Sequence, residues 1–563
     1  MSERIAARAG ALALLLAAFG AAAQVTPLER RPLERPELPS FPPERPQLEF
    51  QLPPAPVAPR QRLSSPLRLT VQGFRYEGVT AFPIKELDAL LQRYVGIPIG
   101  AEELEEARLV LTRHYVAAGY VNSGALIPDQ EIRDGIVVIR VVEGRLARIE
   151  VGGENDFHPD YFKNRMALAA GRPLNVLSLQ ERMQIMLQNP QIERINAQLG
   201  AGEQPGDAVL RLDVAEAKKY SFGAQYANDR SPAVGGRRME LSGAARNLLG
   251  RGDTFGLRLG QAEGLEETLF SAALPVSARD TLLALKYEKI DSRVVEPPFD
   301  VLAIENTSEA IEIGLTEPLS RSVTREVAAG ATFVRRRNAS VLLGQPFSFV
   351  PGLVDGKSVV SALRFALDWA ERSAAQVLAA RLTLSHGLDY WGSTVSTTGN
   401  PDSLFRAWLA QAQWVRRLGR RAGTLVTRAD WQSASDALLP AEKFALGGAA
   451  SVRGYRENAL VRDNGWAASI EYRLEVARYA PFVSEEAGEG PIELALFGDA
   501  GAAREHRGPN QELSSLGFGL RWQPRRGALM QFYKGFAGTN LQAPSHTAQD
   551  NGFHFLLQLR KDF

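Results

Sequence analysis

The chain has 563 residues, a formal net charge of +1 and no cysteine. That length allows several domains, and the near-neutral charge gives no general attraction to nucleic acid. The missing cysteines exclude a disulfide framework, a cysteine-ligated zinc site and lipid attachment through an N-terminal cysteine.

At the N-terminus Arg4 and Arg8 precede an apolar run over residues 9–19, and Ala21-Ala22-Ala23 offers the small side chains a signal peptidase needs. Residues 1–23 therefore read as a signal peptide, and the run is too short to cross about 30 Å of hydrocarbon as a helix. Residues 24–66 are proline-dense, with Glu and Arg interspersed. Repeated proline fixes φ and removes amide donors, so this stretch reads as an extended linker.

From 67 the texture changes to short strands alternating with amphipathic helices. A strand over 67–76, helices over 83–94 and 102–118, and strands over 121–127 and 136–142 form one module, residues 67–144. The order repeats over 145–217, with a strand at 146–151, helices at 160–170 and 177–188, and strands at 192–199 and 208–214. Two tandem α+β modules of about 75 residues, each small but foldable, fit this region.

Beyond 218 the helical period vanishes. Tyr220, Phe222, Ala224 and Tyr226 alternate with smaller or polar residues, as do Phe255, Leu257 and Leu259, and Leu516, Phe518, Leu520 and Trp522. Turns rich in Asn, Gly and Asp, such as residues 247–253, separate these runs. The last eleven residues place Phe553, Phe555, Leu557, Leu559 and Phe563 on one face and mainly polar residues on the other. So many half-greasy strands point to a transmembrane antiparallel barrel over 218–563, oily outside and wet inside. At roughly ten residues per crossing plus loops, there is room for about 16 strands.

Two strand-helix-helix-strand-strand modules, a signal peptide, a proline-rich linker and a C-terminal barrel resemble the TpsB two-partner-secretion transporters (ShlB/FhaC/HecB-like), within the BamA-like superfamily. The modules look like POTRA domains, and the Gly119-Tyr120 step after the second helix matches their pattern. More specific is Val452-Arg453-Gly454-Tyr455, the family's loop motif, followed 46 residues after Arg453 by Asp499 of Phe497-Gly498-Asp499, a match to its Phe-x-Asp strand element. The resemblance implies that the loop folds into the barrel and that Arg453 meets Asp499 in the lumen. A guanidinium fork on a carboxylate would fix direction as well as position. Gly454 would permit close backbone approach, and Tyr455 would add an aromatic surface with a polar tip. Phe563 is the family-like ending used in barrel assembly. Lys561 departs from the terminal pattern, although a lysine can snorkel to the interface. Some members carry a barrel-plugging helix before the linker; the prolines of residues 24–66 argue against an ordinary helix there.

The resemblance implies an outer-membrane transporter, not an enzyme, that secretes a large unfolded β-rich exoprotein, such as a haemolysin or adhesin, from periplasm to cell surface. Its partners would be that TpsA-like client, outer-membrane lipid and the barrel-assembly machinery, with no cofactor, metal or nucleic acid. No Gly-x-x-x-x-Gly-Lys-Ser/Thr loop supports nucleotide-driven work, and neither a Gly-x-Ser-x-Gly elbow nor His-Glu-x-x-His supports an outer-membrane enzyme. The nearest alternative is a BamA-like insertase. A passive porin would leave the two modules without a task.

Overall fold

The computed structural model describes residues 35–41, 48–52, 68–396, 400–419, 422–480 and 490–563. The expected signal peptide and most of the proline-rich linker lie outside these. The chain forms two compact units, one made of residues 43–218 with 247–252, the other of the remainder.

The first unit begins with a short strand, β1 (Leu48–Gln51). Two strands follow, β2 (Leu69–Thr70) and β3 (Gly73–Glu77), where the sequence suggests a single strand. They separate because β2 pairs with β4 (Pro98–Ile99) whereas β3 pairs, in parallel, with β6 (Ile136–Val142). Between them Val71 is buried and the Gln72 amide donates to Gly135 O at 2.8 Å. Helices α1 (Ile84–Leu91) and α2 (Ala101–Ala117) cover this sheet, whose other edge is β5 (Gly124–Leu126).

Helix α2 starts where Glu103 Oε2 accepts from the Gly100 amide at 2.8 Å, an acid on the positive end of the helix dipole. It ends at Gly119, whose φ of 94° lets the Tyr120 amide reach back to Tyr115 O at 2.9 Å. The turn continues through Ser123, which shortens β5 relative to the expected strand at 121–127. Leu87, Leu91, Leu111, Tyr115, Val137 and Ile139 form the first core.

The second module holds β7 (Arg145–Gly152), α3 (Pro159–Ala170), α4 (Val176–Met186), β8 (Ile192–Ala201) and β9 (Asp207–Glu216). Its sheet order is β1-β8-β9-β7, so a strand from the linker completes an edge that the sequence reading leaves bare. Asn175 caps α4 through the Leu177 amide at 2.9 Å, and its Nδ2 donates to Ala118 O of the first module at 3.0 Å. A Cβ on Gly119 would lie 2.6 Å from Asn175 Oδ1, so glycine serves both the helix end and this junction. Phe162, Met166, Leu174, Leu179, Met183, Ile195 and Leu210 fill the second core.

In the other unit, among the described residues, sixteen strands from Tyr220–Ala227 to Phe553–Asp562 close an antiparallel barrel, with the two-residue strand Gln345–Pro346 as an extra in one loop. The first and last strands pair directly, with Ala224 opposite Leu559 and Tyr226 opposite Leu557. The Phe563 amide donates to Tyr220 O at 2.8 Å. On the strand Gln511–Arg525, Leu516 and Phe518 are 72% and 48% exposed while Ser515 is 4% exposed. Apolar side chains out and polar ones in is the reverse of a water-soluble protein, and it satisfies every strand with neighbours where lipid offers no hydrogen bonds.

Candidate functional site

Between the strands Gly423–Ala434 and Asn464–Arg478 the chain makes a long loop with its own hairpin, Phe444–Leu446 paired with Leu460–Arg462. Phe444, Leu446, Val452, Tyr455 and Leu460 pack with Ala467, Ala503 and Leu513 of the barrel wall, giving the loop an apolar foot. Gly447 and Gly448, with φ of 107° and 96°, make the turn that returns the chain toward Arg453. A Cβ on Gly454 would stand 2.8 Å from that of Ser515 and 3.0 Å from Ala537, so the backbone lies directly on the wall.

This seat holds Arg453 in contact with Asp499. Its Nε donates to Oδ2 at 2.9 Å, Nη2 to Oδ1 at 2.8 Å, and its backbone amide to Oδ2 at 3.0 Å. Nη1 donates to Glu471, and Nη2 also to Ser469 Oγ at 3.0 Å. The guanidinium carbon stacks 3.6 Å from the Phe497 ring centroid and 5.0 Å from that of Tyr533. All three charged groups are buried, with Asp499 and Glu471 side chains at 0% and 2% exposure. Arg473 Nε donates to the other oxygen of Glu471, so two cations meet two carboxylates. Such a cluster offers hydrogen-bond geometry and charge balance rather than bond-making chemistry.

Of the residues singled out in the sequence, Arg453, Phe497 and Asp499 converge, and Val452 anchors the foot of the loop. Tyr455 Oη donates to Ser514 O at 3.2 Å and accepts from the Thr539 amide at 3.0 Å. Gly498 faces the other way, where a Cβ would meet Leu516 and Ile470 on the outer surface. Phe563 sits apart at the closing seam, edge-on to Phe222 at 6.1 Å, with Lys561 Nζ 4.8 Å from its ring.

Glu471, Ser469 and Tyr533 were not foreseen. Their signal is register: Ser469 lies opposite Asp499 and Glu471 opposite Phe497, so all four share the lumenal face. Arg35 also reaches this region. Its Nε donates to both oxygens of Asp430, at 3.0 and 2.9 Å, and Nη2 donates to Ala450 O at 2.7 Å. Gln413 Nε2 donates to Pro36 O at 2.8 Å, and the Arg417 guanidinium lies 3.8 Å over the Phe41 ring. Residues 35–41 carry no helix or strand and are bound to the barrel wall.

A closed barrel with an oily exterior and an inward-folded loop, on a chain that also carries two small α+β modules, defines an outer-membrane transport protein. Residues 206–522 match the family described as haemolysin secretion/activation protein ShlB/FhaC/HecB, and residues 69–144 match the POTRA domain, ShlB-type. The chain belongs to the ShlB/FhaC/HecB family: it is an outer-membrane transporter of a secreted exoprotein, with its POTRA region in the periplasm.

It is similar to the outer membrane transporter CdiB of Dickeya dadantii (strain 3937), 20% identical over 414 residues that make up 72% of each chain. The heme/hemopexin transporter protein HuxB of Haemophilus influenzae (strain 86-028NP) is 26% identical over 176 residues, 31% of each chain. Among solved structures, CdiB from Escherichia coli shares the fold with a TM-score of 0.66 at 19% identity, covering 89% of this chain and 92% of that one. BamA from Haemophilus ducreyi lacking POTRA domains 1–3 shares it with a TM-score of 0.52 at 14% identity, covering 87% and 100%; this likeness is one of fold.

Proposed function

We propose that this chain passes a large, unfolded, β-rich TpsA-like exoprotein, a haemolysin or adhesin in type, through its barrel to the cell surface. Transport proceeds without nucleotide hydrolysis and without enzymatic chemistry of its own. The supporting observation is the buried Arg453–Asp499–Glu471 cluster, which pins a loop inside the barrel by directional contacts. In this reading Val452, Arg453, Gly454 and Tyr455 are the loop motif, and Phe497, Gly498 and Asp499 its seat on the strand. Residues 67–144 and 145–217 act as the client-receiving modules and 218–563 as the conduit. Folding of the client outside, together with weak successive contacts inside, biases movement outward. Outer-membrane lipid surrounds the barrel, and the barrel-assembly machinery reads its terminal strand, Phe563 included.

The test is co-expression with a large exoprotein encoded beside it, measuring arrival of that exoprotein in the medium. Wild type exports it; Arg453→Ala, with the barrel still assembled, exports much less. Unchanged export with the variant removes the role of Arg453, and absence of export with wild type removes the transport reading. Loss of many unrelated outer-membrane proteins on deletion would favour a BamA-like insertase.

A further inference from the structure

Ile311, Ile313 and Leu315 on the strand Glu305–Arg321 are large, apolar and close to half exposed, which marks the lipid face of the barrel. Their register partners on the strand Arg325–Leu342 are Arg335, Phe333 and Ala331, and Arg337 follows on the same face. Arg336, between the two arginines, points the other way and meets Glu288 at 3.5 Å. The barrel thus carries two guanidinium groups outward, one pleat repeat apart, roughly 7 Å along the strand.

The length of the strand sets their height. About ten residues of tilted strand cross an apolar band of roughly 25 Å, which aromatic side chains flank at both interfaces. Val327, opposite the outward Trp369, and Arg337 stand that far apart. The first barrel strand leaves the periplasmic modules at its Tyr220 end, and in the antiparallel order the strand Arg325–Leu342 runs the same way. Arg335 and Arg337 therefore lie where hydrocarbon gives way to the headgroups of the cell-surface leaflet.

Neither guanidinium has a carboxylate partner among the described residues. Arg337 is exposed, and Arg335 donates from Nε and Nη2 to the Trp391 carbonyl, at 3.3 and 3.2 Å. Of the acids on this face, Asp291 is engaged by Lys289 at 2.9 Å and by the Thr307 hydroxyl at 2.7 Å, and Glu309 lies between Lys289 and Arg337 in the register. Trp391 is held at a φ of 51°, a left-handed conformation that is costly for a bulky residue. There its carbonyl meets Arg335, while its indole stands edge-on to Phe333 at 5.4 Å and stacks with Tyr390 at 5.1 Å. Both rings are more than half exposed. Two free cationic forks beside amphipathic rings, above an oily wall, suit a ligand with an anionic head and apolar tails.

We propose that Arg335 and Arg337, with Tyr390 and Trp391 beside them, form a binding site on the barrel exterior for a phosphorylated glycolipid of the outer leaflet, of the lipid A type. Its phosphate takes charge-assisted hydrogen bonds from the two guanidinium forks. The sugar rests against Tyr390 and Trp391, and the acyl chains run down the column of Phe333, Ile313 and Leu315. The site stands apart from client transport and depends only on the barrel's place in the outer membrane.

The test uses full-length protein in detergent with EDTA, and a fluorescent bis-phosphorylated lipid A as probe. Wild type should bind it, and R335Q/R337Q should bind about thirtyfold more weakly, the loss of two cations at a headgroup surface. R335K/R337K keeps both charges but not the forks and should fall between them. R416Q, which removes an arginine of the lipid face at the opposite rim, should bind as wild type does. Fully dephosphorylated lipid A should bind wild type no better than R335Q/R337Q binds the probe, and inorganic phosphate should not displace the probe. Heat-modified migration on gels checks that each barrel is closed. If the double variant does not assemble, R337Q alone, which loses no ion pair, should weaken binding about fivefold.

Equal affinity in wild type and the glutamine variants, equal loss in R416Q, or equal binding of the dephosphorylated lipid overturns the proposal. Displacement by inorganic phosphate overturns it in favour of a free-anion site. Binding that needs added magnesium overturns it in favour of a metal bridge to Asp291 and Glu309.

Discussion

Arg453 has two carboxylate partners inside a buried site, so the cost of losing a partner exceeds the worth of making the contact. Asp499→Asn leaves a buried guanidinium short of one charge and is expected to destabilise the seated loop by roughly 3 kcal/mol. Limited proteolysis near residues 448–456 should then accelerate, and export should fall. Arg453→Lys keeps the charge but loses the fork and the stacking over Phe497, so it is expected to behave closer to Arg453→Ala than to wild type in the export assay.

In the first module Glu143 is a second residue with a definite electrostatic task. Burial opposes its ionisation, but donors from Thr80 and from the Ala81 amide and Tyr115 Oη, the last two at 2.9 and 2.8 Å, hold its carboxyl below the ordinary glutamate range. The folded value lies under the unfolded one, about 4.3, so this stabilisation is complete above the unfolded value and lost as pH falls through the folded one. Hydrogen exchange at residues 79–82, corrected for intrinsic rates, should loosen on acidification in wild type, and Glu143→Gln should be looser already at neutral pH with little further change. Arg453 and Asp499 stand out in the sequence because they sit in recognisable motifs. Glu471 does not, because an acid on one strand becomes their neighbour only once the cross-strand register is set.

At the scale of elements, the lumenal loop is fastened at a second place. Arg456 Nε donates to Asp550 Oδ1 at 2.6 Å, Nη2 to Oδ2 at 2.8 Å, and Nη1 pairs with Glu296 at 3.0 Å. Gln549 in the same segment accepts from the Glu457 amide at 2.9 Å and donates to the Asn228 and Arg230 carbonyls. Three strand-connecting segments, around residues 228–230, 296 and 545–550, are thus tied to the loop at the barrel end away from Tyr220. Arg456→Ala removes contacts worth about 2 kcal/mol and is expected to raise the open time of the pore in planar bilayers, with the barrel still assembled. Helix positions were close to legible, because apolar spacing and the Gly119 stop are local signals. The split of the strand expected at 67–76 was not, since β2 and β3 differ only in which distant strand each joins. The pairing of β1 with β8 was hidden for the same reason, across more than 140 residues of chain.

For the whole molecule the decisive feature is inversion, with apolar side chains on the outside of a hydrogen-bonded cylinder. Phe518, outward on the strand Gln511–Arg525, separates this from a soluble fold. Phe518→Arg is expected to cost about 2–4 kcal/mol in urea-dependent refolding into lipid vesicles, a penalty no water-exposed surface site would impose. In a soluble protein the same change would be close to neutral.

Alternating side chains, proline density and the spacing of two motifs are properties of neighbours along the chain. They determined by themselves the barrel and the strand-helix texture of the modules before it, whereas the pairing of Arg453 with Asp499 was implied only through the resemblance to a known family. Closure of the first strand on the last, the second carboxylate on Arg453, the grip on Arg35 and the strand that covers β8 were decided only by the tertiary structure. Each brings together groups far apart in sequence, and their partnership depends on strand register and strand order, which local pattern does not encode.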